Sequence, residues 1–95
     1  MSYELQFHPK ALKEWSKLDA SIKEQFKKKL SERLENPIVA KDRLSGFDNI
    51  YKIKLRSSGY RLAYKVLQNE IVILVLKIGK RDNVYRLLTK MISKN

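Results

Sequence analysis

The sequence has no cysteine and a single histidine, His8. Without cysteine there is no disulfide framework and no thiolate ligand for a metal ion. One histidine cannot supply a pair of imidazoles for acid and base catalysis, and its position before Pro9 suits a helix cap or a surface residue. The scattered carboxylates, among them Asp42, Asp48 and Asp82, lack the spacing of metal ligands. We therefore expect no metal and no cofactor.

Long hydrophobic runs and glycine-rich loops are also missing. The longest apolar stretch, residues 71–76, is far shorter than the roughly 20 residues that span a bilayer. The first residues lack the charged and apolar regions of a secretory signal, and the three glycines do not form a phosphate-cradling loop. We expect a cytoplasmic protein without a membrane partner.

Acidic residues are scarce relative to basic ones. The 10 Asp and Glu residues stand against 21 Lys and Arg residues, which gives a formal net charge of +11 on 95 residues. Such an excess on a small body indicates a polyanionic partner. Nucleic acid is the leading candidate, and the alternatives are an anionic membrane surface, an acidic protein and a merely solvated charged surface.

Hydrophobic periodicity first predicts a strand and two helices. Polarity alternates from Tyr3 to Phe7, which is typical of a short strand. Apolar residues then recur at helical spacing from Pro9 onward. A second helix is predicted from a capping box of Ser21 and Glu24 to Asn36.

Three more strands and a last helix follow. Residues 51–56 and 60–66 alternate in polarity, whereas residues 71–78 are apolar on both faces, as expected of a central strand. An apolar stripe from Val84 to Ile92 predicts the helix. This order predicts one domain over residues 1–95 with an α+β fold. In it, a small, mainly antiparallel sheet of about four strands packs against an N-terminal helical hairpin, with a C-terminal helix.

The second and third predicted strands form a hairpin with cations on one face. If residues 58–59 are a two-residue turn, Arg56 lies opposite Arg61 and Lys52 lies opposite Lys65. Like charges opposite each other destabilise a sheet, and the hairpin contains no carboxylate to offset them. A bound polyanion would offset the repulsion. We therefore expect this face to act on RNA, with Arg56 and Lys65 holding backbone phosphates.

The predicted register also gathers cations at one end of the sheet. A second two-residue turn at residues 68–69 would bring residues 79–81 beside the first turn, with Tyr85 about one helical turn further on. Four cations then converge: Lys54, Arg56, Arg61 and Arg81. RNA carries its own nucleophile, the 2′-hydroxyl, so cleavage needs in-line placement, charge neutralisation and proton transfer. Lys54 and Arg61 suit charge neutralisation. Because the acid–base set is weak, we expect that another molecule arranges the substrate.

Four segments resemble the RelE family of bacterial toxins. They are Tyr51–Leu62 (YKIKLRSSGYRL), Gly79–Arg81 (GKR), Ala11–Trp15 (ALKEW) and Lys27–Leu30 (KKKL). The resemblance covers nearly the whole chain. It implies an mRNA interferase that enters the ribosomal A site and cleaves the codon there, by attack of the 2′-hydroxyl on the adjacent phosphate and without a metal. It also implies a cognate antitoxin protein and a mobile C-terminal helix.

The resemblance assigns catalytic residues one at a time. Lys52 and Lys54 match the family's catalytic lysines, and Arg61 matches its phosphate-stabilising arginine. Arg81 matches the arginine proposed as general acid or leaving-group stabiliser. Tyr85 matches the family's tyrosine after a shorter segment than in close relatives. On the residues alone, Tyr85 also fits the apolar stripe of the last helix, so a core role stays open.

Other cations are expected to bind RNA without entering the reaction. Close relatives carry an arginine near the loop glycine that contacts ribosomal RNA. In this chain Ser45 precedes Gly46, and the nearest cation is Arg43. The basic face of the second helix, with Lys23 and Lys27, would steer the protein towards RNA.

Two other functions stay open at this point. The related ParE toxins inhibit DNA gyrase with the same fold and without RNA cleavage, although they generally lack this cationic set. A plain RNA-binding or ribosome-associated module would use the same basic surface.

Overall fold

The structure is a computed structural model that describes residues 2–80 and 83–93. Within these residues the helices and strands are β1 Glu4–Phe7, α1 Pro9–Ser16, α2 Ala20–Glu35, β2 Ile50–Lys54, β3 Tyr60–Leu67, β4 Val72–Lys80 and α3 Asn83–Ser93. The predicted α+β fold, its helical hairpin and its C-terminal helix are confirmed. In the described part of the chain, every helix is too short or too polar to cross a membrane.

The strands form one sheet in the order β1–β4–β3–β2. β1 is parallel to β4, and the other neighbouring strands are antiparallel. β4 occupies a central position, as its apolar sequence predicts. The helical hairpin covers one face of the sheet through Ala11, Phe26 and Leu30, which are at most 2% exposed.

The second face of the sheet carries an apolar cluster as well as cations. Val84 and Leu88 of α3 are fully buried there against Ile50, Ala63 and Leu76. Because side chains alternate along a strand, Ile50 and Ala63 share this face with the hairpin lysines and arginines. The expectation of a cationic face therefore holds only for the part that α3 leaves uncovered.

The two helices of the hairpin begin differently from each other. α1 begins at Pro9, and the Lys10 N–H donates to His8 Nδ1 at 3.2 Å, so His8 is a helix cap, one of the two roles expected for it. α2 begins at Ala20 with Asp19 as its N-cap residue, so the predicted capping box of Ser21 and Glu24 is wrong. Two turn hydrogen bonds close the end of α1 at residues 17–18, which leaves Asp19 as the extended residue before the helix.

The β2–β3 register differs from the prediction by two residues. Lys54 pairs with Arg61 and Lys52 pairs with Ala63, instead of Arg56 with Arg61 and Lys52 with Lys65. The connection is a four-residue loop, residues 56–59, rather than a two-residue turn. It is closed by a hydrogen bond from the Gly59 N–H to the Leu55 carbonyl at 2.9 Å, with Gly59 at φ +78°. A shift of two residues preserves the face of every side chain, so the cations stay together.

The β3–β4 connection is also longer than predicted. A 3-10 turn at Gln68–Glu70 and a left-handed residue at Ile71 replace the two-residue turn. As a result Lys80 lies opposite Tyr60, whereas a two-residue turn at residues 68–69 would place Lys77 there. The longer turn and a bulge between residues 63 and 64 together set this register.

Ile71 provides a test of the β3–β4 connection. Its φ of +55° is unfavourable for a β-branched residue. Ile71→Asn should therefore raise the free energy of unfolding by about 1 kcal/mol, or roughly 4–8 °C in melting temperature for a domain of this size. Ile38→Asn is the matched control, because Ile38 is similarly exposed without a positive φ. Equal effects of the two substitutions in thermal denaturation would contradict the strain at Ile71.

Candidate functional site

Two cations lie directly opposite each other near the end of the β2–β3 hairpin. Two backbone hydrogen bonds of 2.9 Å flank this pair: the Leu55 N–H donates to the Tyr60 carbonyl, and the Val66 N–H donates to the Asn49 carbonyl. They show that the odd-numbered residues of β2 form the hydrogen-bonded pairs with β3. Lys54 and Arg61 therefore form a non-hydrogen-bonded pair, in which the Cα atoms approach to about 4.5 Å.

Arg61 is positioned from both of its sides. Its Nη1 donates to the Gly59 carbonyl at 3.0 Å, which holds the guanidinium over the loop. On the other side, Arg61 pairs with Gly79 of β4. A Cβ at Gly79 would lie 3.1 Å from Cγ2 of Val84, so the glycine permits the close approach of α3. The start of α3 is thereby brought next to Arg61.

Three of the predicted catalytic residues share this end of the sheet. Lys52 and Lys54 project from β2 to the same face as Arg61 of β3. Lys54 is exposed, while Lys52 and Arg61 are half-buried. Arg81 follows β4 directly but lies outside the described residues.

Tyr85 is partly enclosed by the apolar cluster beneath α3. Its ring packs, half-buried, against the cluster that contains Val84 and Leu88, and its hydroxyl oxygen has almost no solvent contact. The geometry therefore favours a packing role in this conformation. A role of Tyr85 in the reaction stays a prediction.

The predicted RNA-binding residues do not form one cluster. Arg56 is exposed in the hairpin loop. Lys65 lies four residues along β3 from Arg61, about 13 Å away, in a recess near Phe47 and Leu74. Arg43 is exposed beside the first half of β2, where its backbone forms an isolated antiparallel β-bridge with Tyr51.

The two lysines predicted on α2 differ in environment. Lys27 is exposed and pairs with Glu24 at 3.8 Å, whereas Lys23 is half-buried. Neither lies at the β2–β3 pair; both belong to the basic face of the helix. Their predicted contribution is therefore to overall steering.

A cationic groove that the sequence did not indicate runs between α2 and the outer edge of β2. Its volume is about 610 Å³. Six cations line it: Lys29, Arg33, Lys41, Lys52, Lys54 and Arg56. Glu32 and Asp42 are its two carboxylates. The groove leads from the Lys54–Arg61 pair along the edge of the sheet, so it extends the basic surface beyond the hairpin face.

Sequence spacing offered only a partial signal for this groove. Lys29 and Arg33 are four residues apart on α2 and share a helical face, but which strand that face meets is a tertiary property. Arg33 in particular belongs by pattern to the solvated face of the helix, and in the structure it is largely buried, with its side chain 14% exposed.

Known proteins resemble the chain in both sequence and structure. The family model described as "ParE toxin of type II toxin-antitoxin system, parDE" matches residues 5–85. The mRNA interferase toxin RelE of Escherichia coli (strain K12) is 51% identical over 82 residues, which is 86% of each chain. This chain belongs to the RelE family of type II toxins.

Solved structures of RelE toxins have the same fold. A double arginine mutant of E. coli RelE in the free state superposes with a TM-score of 0.88 at 48% identity, covering 97% of this chain and 99% of that one. The toxin in the intact E. coli RelBE toxin–antitoxin complex superposes with a TM-score of 0.82 at 51% identity, covering 83% and 96%. The similarity therefore spans the hairpin, the sheet and the helices of the RelE fold.

The like charges at the RelE-type hairpin should lower the stability of the free protein. Lys54→Met removes one charge of the Lys54–Arg61 pair and keeps the aliphatic stem. We expect the free energy of unfolding to rise by about 0.2–1 kcal/mol at low salt, and the gain to shrink as salt screens the pair. Denaturant titrations at two ionic strengths measure this.

Lys28→Met is the matched control, because Lys28 is exposed on α2 away from the hairpin and the substitution removes the same charge. Equal gains in both variants would show that the overall net charge, rather than the pair, is responsible.

Proposed function

We propose that this chain is a ribosome-dependent mRNA interferase that cleaves mRNA in the ribosomal A site. The observation that carries the proposal is the Lys54–Arg61 pair, with Lys52 on the same face of the hairpin and Gly79 opposite Arg61. A cation pair at a non-hydrogen-bonded position destabilises the free sheet. It is well placed for a phosphate whose negative charge grows during reaction.

In the proposed reaction the 2′-hydroxyl of one nucleotide attacks the adjacent phosphate. The bond from O2′ to phosphorus forms, the bond from phosphorus to O5′ breaks, and the products are a 2′,3′-cyclic phosphate and a 5′-hydroxyl. The O2′ proton must be removed and the leaving O5′ must gain one. Arg61 supplies a planar fork for the phosphate oxygens, while Lys52 and Lys54 add charge stabilisation and proton transfer.

Two further residues complete the proposed catalytic set. Arg81 would act on the leaving oxygen from the end of β4, and Tyr85 would contact the nucleotide. Because the Tyr85 hydroxyl is enclosed, this role requires α3 to move. The remaining predicted cations would hold RNA phosphates: Arg43, Arg56, Lys65, Lys23 and Lys27.

The proposal also names the partners. The relatives include the toxin of a RelBE toxin–antitoxin complex, so we propose a cognate antitoxin protein as the inhibitor of this chain. The substrate is mRNA, and the ribosome places it for in-line attack, which supplies the orientation that so small a protein lacks. The site of action is accordingly the cytoplasm.

Gyrase inhibition is the competing function, because the matching family model carries the ParE name. The RelE relative and the Lys54–Arg61 pair of this hairpin favour RNA cleavage. Gyrase inhibition by a protein that leaves ribosome-bound mRNA intact would reverse this preference.

Substitution of the proposed catalytic cations tests the function directly. Lys54→Ala, Arg61→Ala and Arg81→Ala should each lower the single-turnover cleavage rate on programmed ribosomes by about 10²–10³-fold, the typical loss when one charge-stabilising donor is removed. Lys10→Ala is the control, since Lys10 is exposed on α1. Near-normal rates in all three variants would contradict the assignment, as would equal cleavage of mRNA without ribosomes.

Tyr85→Phe separates the two roles of that residue. The substitution removes only the hydroxyl and keeps the packed ring. If Tyr85 takes part in proton transfer, the cleavage rate should fall by about 10²-fold with little change in melting temperature. A normal rate would show that the Tyr85 hydroxyl takes no part in proton transfer.

A further inference from the structure

Arg33 makes more polar contacts than a residue on a solvated helix face. Its Nη1 donates to the Lys52 carbonyl at 3.2 Å and to the Tyr64 hydroxyl at 2.8 Å. Its Nη2 donates to Asp42 Oδ2 at 2.6 Å, in an ion pair whose side chains are only 14% and 19% exposed. Charge-assisted bonds of this kind are among the strongest in proteins.

The surrounding contacts hold the guanidinium in place. The Tyr64 hydroxyl donates to the Pro37 carbonyl at 2.7 Å, and its ring stacks on Tyr51 with centroids 5.7 Å apart. The Arg33 guanidinium carbon also lies 5.7 Å from the Tyr64 ring centre. Burial raises the pKa of Tyr64, although the Arg33 hydrogen bond opposes this, so the phenol stays neutral at physiological pH. The network therefore joins α2, the segment that follows it, β2 and β3.

The bond to Lys52 closes part of the free edge of the sheet. β2 is an edge strand, and Lys52 belongs to a non-hydrogen-bonded pair, so its carbonyl points away from β3. The preceding edge carbonyl, that of Ile50, accepts from the Leu44 N–H at 2.9 Å. Arg33 donates to the next edge carbonyl, that of Lys52, two residues before β2 ends at Lys54.

From this geometry we propose that Arg33, oriented by Asp42, is a positioning residue for RNA cleavage. It anchors the edge of β2 at Lys52 and thereby holds Lys52 and Lys54 in register with Ala63 and Arg61. The inference rests on the proposed function, because it assumes that Lys52 and Lys54 act on the phosphate. Repulsion between Lys54 and Arg61 pushes the strand end away from β3, and a displacement of about 1 Å in a reacting group costs roughly 10²-fold in rate.

The double variant Arg33→Met/Asp42→Asn tests the anchor without an unpaired buried charge. It removes one positive and one negative charge, so the net charge stays at +11 and long-range attraction to the ribosome is preserved. We expect the single-turnover cleavage rate at saturating ribosomes to fall by about 10–100-fold. Ribosome affinity should change by less than about threefold, since the phosphate-binding cations remain.

Amide hydrogen exchange of the free protein provides a readout independent of activity. In the double variant, exchange at residues 52–55 should accelerate, while exchange in β4 at residues 73–75 should stay unchanged. Ile73→Val is the control for lost stability: it shortens a fully buried side chain of β4 and removes none of the partners of Arg33. Its cleavage rate at a temperature where it is folded should stay within about threefold of the parent.

Two results would overturn the anchor. One is unchanged exchange at residues 52–55 in the double variant, and the other is faster exchange with a cleavage rate within about threefold of the parent. Failure of the proposed function would appear differently, as no ribosome-dependent cleavage by the unmodified chain. In that event the exchange experiment still decides whether Arg33 anchors β2.

Discussion

Apolar burial on both faces of the sheet sets the register on which the candidate site depends. Ile73, Val75 and Ile78 of β4 lie in the core beneath the helical hairpin, while Leu76 lies in the cluster beneath α3. Each fully buried side chain of this size contributes about 1.5–3 kcal/mol. The repulsion of one opposed pair of cations costs about 0.2–1 kcal/mol. Burial therefore decides the register, and the cations meet because the core leaves them no other position.

This balance explains how so basic a hairpin remains folded without a bound polyanion. The Lys54–Arg61 pair lies next to the loop that the Gly59 N–H closes. On its other side Arg61 is paired with Gly79 of β4, which has no side chain. Arg61 donates to the Gly59 carbonyl, so part of its hydrogen-bonding capacity is satisfied in the free protein. A bound phosphate would then replace repulsion with attraction without rearranging the backbone, which is the preorganisation that electrostatic catalysis requires.

Most of the fold could be predicted because period and composition are local properties. The positions of β2, β3 and β4 follow from polarity alternation and from the doubly apolar sequence of the central strand. The two registers could not be predicted, because a two-residue and a four-residue connection place the same side chains on the same face. Only the closed loop at residues 56–59 distinguishes Lys54 opposite Arg61 from Arg56 opposite Arg61.

The candidate site was predictable to the extent that it lies on one hairpin. Lys52, Lys54 and Arg61 are close in sequence and share one face by alternation alone. The contact of Arg33 with the edge of β2 could not be predicted, since a helical pattern cannot distinguish a solvated arginine from one that reaches a strand edge. Its partners are 9, 19 and 31 residues away in sequence. Such contacts depend on how the hairpin of helices lies on the sheet.

The helical hairpin therefore has a polar task besides covering the core. β4 extends past the end of β1, and there the Ile78 N–H donates to Oε1 of Glu14 from α1 at 3.0 Å. The other carboxylate oxygen of Glu14 forms an ion pair with Lys77. From α2, Arg33 takes the Lys52 carbonyl on the edge of β2. Hydrogen bonds to charged groups contribute about 1.5–3 kcal/mol each, more than the repulsion of one cation pair. The two helices thus hold both edges of the sheet at the end where the cations meet.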